Sequence, residues 1–195
     1  MRRLNKRPLG DRMKIKPTAI SGLVVVETER DRDQRGSFTR LYCEQALESV
    51  IGPRRIVQIN HSRTRAVGAV RGLHYQRAPH AEMKLVRCLR GRVWDIAVDL
   101  RDGSTTYLQW HADELSETNA RMMVIPEGCA HGFQALEADS ELLYLHTAFY
   151  MPSFEEGIQP TDPRLSISWP LPVQDLSDRD RNHPLLSSEF SRLIV

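Results

Sequence analysis

Met83-Lys84-Leu85-Val86-Arg87-Cys88-Leu89 and Val93-Trp94-Asp95-Ile96-Ala97-Val98-Asp99-Leu100, parted by Arg90-Gly91-Arg92, decide how this chain folds. Each run is short, rich in apolar and β-branched residues, and bounded by a glycine turn. Each therefore reads as a strand, and the two together as a hairpin. Alternation puts Val93, Asp95, Ala97 and Asp99 on one face and Trp94, Ile96, Val98 and Leu100 on the other. The same texture continues outward. Residues 23–27, 56–60, 107–111, 121–125 and 142–150 read as further strands, with turns at Gly103-Ser104, Pro126-Glu127-Gly128 and Asp162-Pro163. Helix signals are few: residues 44–50, stopped by Gly52-Pro53, and a short stretch near 116–121. Many short strands with frequent turns predict an all-β sandwich or barrel with a few short helices, the jelly roll being one closed form.

The 195 residues suit one domain, assigned to 13–195, because no interior linker or repeat interrupts them. No apolar run approaches the roughly 20 residues that span a bilayer, and no apolar core follows the basic start. No membrane association is expected. Formal net charge is +2, but seven basic residues against Asp11 crowd residues 1–16, leaving a mildly acidic body. That balance predicts no nucleic-acid partner. Residues 1–12 read as a disordered basic extension, with Met13 the natural start. Cys43, Cys88 and Cys129 are odd in number and widely spaced, with no Cys-x-x-Cys, so neither a zinc knuckle nor a redox motif is supported. Their usage fits a reduced, cytoplasmic compartment.

Chemistry concentrates around two histidines. His74 stands in Arg71-Gly72-Leu73-His74-Tyr75-Gln76, after an apparent Arg-Gly turn, and His131 in Gly128-Cys129-Ala130-His131-Gly132-Phe133, each at a strand edge. Glycine beside His131 permits close backbone approach to a ligand, or an unusual dihedral. Two such histidines facing one cavity can bind a metal or move protons, and each also admits a purely structural role. Barrel metal sites often pair histidines one residue apart. Here that slot holds Gln76, a poor ligand for transition metals, while His80 and Glu82 sit beside Pro79 in a stretch that reads as a loop. No metal is expected. Proton chemistry needs a base, an orienting carboxylate, an acid on the opposite side and a cation where negative charge develops. Asp180, Tyr144 and Lys84 are candidates, although spacing alone does not bring them together.

Seven blocks occur in order: Asp33-Gln34-Arg35-Gly36-Ser37-Phe38, Gln58-Ile59-Asn60-His61-Ser62, the His74 block, Lys84-Leu85-Val86-Arg87, Asp99-Leu100-Arg101-Asp102-Gly103-Ser104, the His131 block with its preceding Pro126-Glu127, and Ser177-Asp178-Arg179-Asp180. Over roughly residues 14–184 the chain resembles the dTDP-4-dehydrorhamnose 3,5-epimerase family, whose fold is a cupin-like jelly roll. The resemblance implies His74 as general base, Asp180 as its carboxylate partner, Lys84 beside the developing enolate and Tyr144 as general acid. Tyr150 matches the aromatic that stacks on the nucleobase. Arg35, Phe38, Gln58, Asn60, Arg71, His131 and Glu156 match substrate-contacting positions. Arg35 and Phe38 are expected to reach a neighbouring subunit's site, in a homodimer with exchanged N-terminal strands.

The implied reaction is epimerisation of a nucleotide-diphosphate-linked 4-keto-6-deoxyhexose. His74 takes a proton alpha to the C4 ketone, Lys84 steadies the enolate oxygen, and Tyr144 returns a proton from the other face. No cofactor is needed. Departures gather at the nucleotide end. Arg40 stands where the family usually has Glu, Leu145 where it has Lys, Pro160 where it has Trp, and Arg179 where it has Lys. These leave open another nucleotide sugar, and inversion at C3 only or C5 only stays open because it depends on how the ring flips in the pocket. The rival readings are a non-catalytic sugar-nucleotide-binding cupin and a metal-dependent oxygenase.

Overall fold

The computed structural model describes residues 12–195, so the proposed basic extension lies outside it except for Arg12, which pairs with Asp31. Strands β1 (Met13–Pro17), β2 (Val24–Thr28), β3 (Arg30–Asp33) and β4 (Gly36–Thr39) lead into helix α1 (Glu44–Ile51). β5 (Gln58–Thr64), β6 (Val70–Gln76), β7 (Lys84–Arg90), β8 (Arg92–Asp99), β9 (Trp110–Ser116) and β10 (Arg121–Ile125) follow. β11 (Cys129–Ala135), β12 (Ser140–His146), β13 (Glu155–Gly157) and the single turn α2 (Asp178–Arg181) complete the order. One sheet runs β1-β2-β10-β7-β12-β5, a second β13-β6-β11-β8-β9, and β3-β4 form a separate ribbon. All the ladder pairings are antiparallel. The all-β sandwich expected from the strand texture is the fold observed.

Three apolar layers explain the alternation. Between the sheets lie Val86, Cys88, Val93, Ala97, Leu115, Met123, Phe133 and Leu142, with Tyr144 at the margin. On the outer face of the six-stranded sheet, Leu47 and Ile51 of α1 cover Val24, Leu85, Val124 and Leu145. The outer face of the five-stranded sheet presents Leu73, Ile96 and Val98 to the C-terminal segment, through Leu165, Leu186, Leu193 and Trp169. The two faces read for residues 93–100 thus become the inner and outer faces of β8. Leu145 belongs to the layer under α1, so that departure fills a hydrophobic back face and not the ligand side.

The hairpin reading of residues 83–100 is corrected. β7 pairs with β10 and β12, whereas β8 pairs with β11 and β9 in the opposite sheet. Gly91 is therefore a corner between sheets. It has φ +73°, and a Cβ there would lie 2.6 Å from Ser140 Oγ. Ser140 accepts from Arg92 N at 3.2 Å and holds the corner. Packing Val86 and Cys88 against Val93 and Ala97 requires the chain to fold across the core instead of back along its own sheet. The helix expected near 116–121 is also absent. Asn119 Oδ1 accepts from Ser116 N and Arg121 N, a side-chain turn that replaces helical bonding between β9 and β10. Strand ends shift as well: β5 runs on to Thr64, β9 begins at Trp110 after a turn, and β12 stops at His146.

Candidate active site

His74 and His131 sit in the middle of strands, not at their edges, and Arg71-Gly72 is part of β6 rather than a turn. The two histidines are register partners across β6 and β11. Backbone closeness explains the glycines. A Cβ on Gly72, which has φ +135°, would lie 2.6 Å from Gly132 Cα, and one on Gly132 would lie 2.8 Å from Arg71 O. The close approach is strand to strand, so Gly132 serves backbone packing and not ligand contact.

Facing them are side chains of the other sheet. On a strand, every second residue shares a face. Gln58, Asn60 and Ser62 of β5, Lys84 of β7, and Tyr144 and His146 of β12 line one cavity of about 530 Å³ with Arg71, His74, His131, Tyr150, Glu155 and Arg179. A second cavity of about 660 Å³ shares Arg71, His74 and Arg179 and adds Arg63 and Arg65. The adjoining spaces thus have a basic wall, and Arg71 is exposed on it without a carboxylate partner among the described residues.

His74 Nε2 donates to Asp180 Oδ1 at 2.7 Å, leaving Nδ1 as the basic nitrogen. α2 supplies that carboxylate. Ser177 caps it by accepting from Asp180 N at 3.0 Å, and Gly72 N also points at Asp180. Burial pushes the Asp180 carboxyl up, but the His74 hydrogen bond and charge more than reverse this, so it titrates below the usual range. His183 lies on the far side, its ring edge-on to His74 and its Nε2 3.7 Å from Asp180 Oδ1. Burial, then the His74 charge, holds the His183 imidazole below its usual pKa.

His131 repeats the pattern, donating from Nε2 to the fully buried Asp95 Oδ1 at 2.8 Å. Burial raises the Asp95 carboxyl, and His131 works against that rise. Tyr144 packs at the margin of the inner layer, with its hydroxyl 3.2 Å from Ser62 Oγ. Burial raises its phenol pKa, so it carries its proton through the neutral range. Lys84 is 8% exposed and donates to His74 O at 3.3 Å and to Glu82 Oε1 at 3.1 Å.

The nucleotide-end residues are spread wider. Gln58 accepts from Tyr150 N at 3.1 Å, and the exposed Tyr150 ring is tethered by its hydroxyl to Glu155 at 2.7 Å. Arg179 pairs with the same Glu155 oxygen at 2.6 Å. Glu156 points to the other side of β13, bonded to Tyr75 and Arg77, and lines a neighbouring cleft with Tyr150 and Arg179. Arg35 and Phe38 lie on the β3–β4 ribbon and Arg40 just after it, outside the set that lines the central cavity.

His80 and Glu82, considered as metal ligands, are otherwise engaged. His80 packs on Phe154 at 4.4 Å between ring centroids, and Glu82 binds His146 and Lys84. Among the described residues, the group able to hold a metal is His74, Asp180 and His183, with ligand atoms within 4.8 Å of one another. Two imidazoles and a carboxylate suit a divalent transition metal, but the His74–Asp180 hydrogen bond already accounts for two of the three.

Sequence reading missed Asp95, Ser62, His146, Glu155 and His183. Two carried a signal. Asp95 is an acid on the inward face of a buried strand, and His146 is two residues beyond Tyr144, hence on its face. Nothing in the spacing announced His183.

Residues 17–188 match the family model described as dTDP-4-dehydrorhamnose 3,5-epimerase. The chain is 46% identical over 173 residues to the dTDP-4-dehydrorhamnose 3,5-epimerase of Pseudomonas aeruginosa, covering 87% of this chain and 93% of that one. It is 38% identical over 176 residues to the dTDP-4-dehydrorhamnose 3-epimerase of Streptomyces niveus, covering 90% and 84%. A crystal structure of dTDP-6-deoxy-D-glucose-3,5-epimerase from Legionella pneumophila, in complex with dTDP-4-keto-L-rhamnose, superposes with a TM-score of 0.84 at 41% identity, covering 89% and 92%. With a matching family model over most of its length and an imidazole, a phenol and an ammonium gathered in one cavity, the chain is an isomerase that belongs to the dTDP-4-dehydrorhamnose 3,5-epimerase family.

Proposed function

We propose that this protein epimerises a dTDP-linked 4-keto-6-deoxyhexose, with His74 as base, Asp180 as its orienting carboxylate, Lys84 at the enolate oxygen and Tyr144 as acid. The observation that carries the reading is that His74 and Tyr144 line one cavity from opposite sheets. Inversion requires a proton to leave one face of the sugar and return to the other, and two opposed walls meet that need. The C–H bonds beside a ketone are acidified because the carbanion delocalises onto oxygen. Lys84, buried and cationic, stabilises that oxyanion more than it would in water. Asp180 keeps Nδ1 of His74 free as base and favours the imidazolium once formed. Burial holds the Cys88 and Cys129 thiols up at about 12, so neither supports a nucleophilic alternative.

Arg71 and Arg179 contact the diphosphate in this reading, by charge-assisted hydrogen bonds, and Tyr150 stacks on the base. Gln58, Asn60 and His131 contact the sugar or nucleotide from the cavity wall. Arg35, Phe38 and Arg40 act across a homodimer, entering the partner's cavity. Supporting this is the β3–β4 ribbon, which pairs with neither main sheet and leaves Phe38 66% exposed. A mass of twice 22.4 kDa in solution is the expected result. The domain is residues 13–195, working in the cytoplasm; no described helix is long and apolar enough to cross a membrane.

A C3-only reaction is the second reading, favoured by the 38% identity to the 3-epimerase of Streptomyces niveus. Proton NMR of dTDP-4-keto-6-deoxyglucose with the protein in D₂O separates the two. Deuterium entering at both C3 and C5 is expected; entry at C3 alone establishes the second reading, and no exchange at either overturns both. The reaction needs no cofactor, so exchange is expected to survive exhaustive chelation. A stoichiometric metal whose removal stops exchange would return the His74–Asp180–His183 cluster to consideration as a metal centre.

A further inference from the structure

A second line of hydrogen bonds runs along the six-stranded sheet behind Lys84. Glu82 precedes β7 and its side chain is 8% exposed. One of its oxygens accepts from Lys84 Nζ at 3.1 Å and the other from His146 Nδ1 at 2.7 Å. His146 Nε2 in turn accepts from Asn60 Nδ2 at 3.3 Å, and its ring lies nearly parallel to that of Tyr144, at 19° and 6.1 Å. His146 and Lys84 are register partners across β12 and β7. All of these side chains line the central cavity.

We propose that Glu82, clamped by His146, is the positioning residue that fixes the Lys84 ammonium at the site of enolate formation. The inference rests on Lys84 being the oxyanion donor. A lysine side chain is flexible, and its ammonium is a compact point charge with three donors. Glu82 takes one N–H and the His74 carbonyl takes the second. The third is left for a ligand in the cavity. Burial of an ammonium is costly without a counter-ion, and Glu82 supplies one. It also offsets part of the positive field that an enolate feels. His146 limits that loss by drawing the second carboxylate oxygen toward its own N–H. Burial raises the Glu82 carboxyl, and the His146 and Lys84 contacts reverse this and hold it below the usual range, so it stays ionised in its double role.

The test is a double-mutant cycle on Glu82→Gln and Lys84→Met, read by C–H exchange in D₂O and by dTDP binding. Glutamine keeps the shape of Glu82 and removes its charge. Misplacing a reacting group by about 1 Å costs up to roughly 100-fold. Glu82→Gln is therefore expected to slow exchange by about 10- to 100-fold while KM and dTDP affinity stay within about twofold. Lys84→Met is expected to lose more, and adding Glu82→Gln to it should cost nothing further, because the ammonium being positioned is gone. His146→Phe, which keeps a ring beside Tyr144 but deletes both nitrogens, should show a smaller loss of the same kind. Exchange within twofold of the parent in Glu82→Gln, or losses that multiply in the double variant, overturns the positioning role while leaving Lys84 as donor. Undiminished exchange in Lys84→Met overturns both.

Discussion

Asp180 and His74 are 106 residues apart in sequence and 2.7 Å apart in space, joined by a hydrogen bond between a one-turn helix and the middle of a strand. The bond selects the imidazole nitrogen that remains basic. Asp180→Asn preserves its shape but not its charge, and an amide cannot favour the imidazolium. Exchange should fall by about 10²- to 10⁴-fold, the span that general base catalysis covers, with dTDP binding unchanged. Equal weakening of binding and exchange would instead give Asp180 a structural role.

Tyr144→Phe keeps the ring between His131 and His146 and removes the phenol. In the proposed reaction, deprotonation of substrate by His74 does not need that hydroxyl, whereas inversion does. The variant should still wash deuterium into substrate while forming little inverted product. Parallel loss of both activities would remove Tyr144 from the acid role.

Tyr150 is half exposed and held by Gln58 and Glu155, so its ring is available at the cavity mouth. Stacking on a base is worth about 1–3 kcal/mol. Tyr150→Ala should raise KM by roughly 5- to 150-fold, the equivalent of that energy, and leave kcat near the parent value. A lowered kcat with unchanged KM would place the residue in the chemistry instead.

Acid should unfold the protein through specific carboxylates. Asp99 is fully buried and accepts from Arg101, Ser104 and Thr106. Burial would raise its pKa, but these bonds hold it far below the usual range. Asp180 and Glu82 are depressed as well. A carboxyl depressed in the folded state stabilises fully above its unfolded pKa, about 3.9–4.3, and progressively less as pH falls toward the folded value. Melting temperature should therefore hold to about pH 4 and drop below it. Asp99→Asn should cost about 1–3 kcal/mol at neutral pH and flatten the acid dependence; a parallel curve would count against Asp99 as a source.

Strand texture was legible in the sequence because alternation is local. The inner and outer faces of β8 follow from reading every second residue, and α1 follows from its apolar face and Gly52-Pro53. Residues 83–100 show where local reading ends. A glycine between two apolar runs looks the same whether the chain folds back within a sheet or crosses to another, and only packing of Val86 against the opposite layer decides. The motif around His74 pointed to proton chemistry, but the carboxylate that His74 bonds comes from α2 and its neighbour His183 from the tail after it. Such long-range meetings leave no periodic trace. His146 could have been found by strand parity with Tyr144, and Asp95 by the oddity of a carboxylate on an inward face.

The contact of Gly72 with Gly132 divides the cavity into a wall that can be altered and one that cannot. β6 and β11 touch backbone to backbone beside His74 and His131, so their spacing is set by main chain and tolerates no insertion of side-chain bulk. On the opposing wall, β5 presents Gln58, Asn60 and Ser62, side chains that can be exchanged without moving a strand. Redesign for a different sugar should therefore vary β5 and leave β6 and β11 untouched.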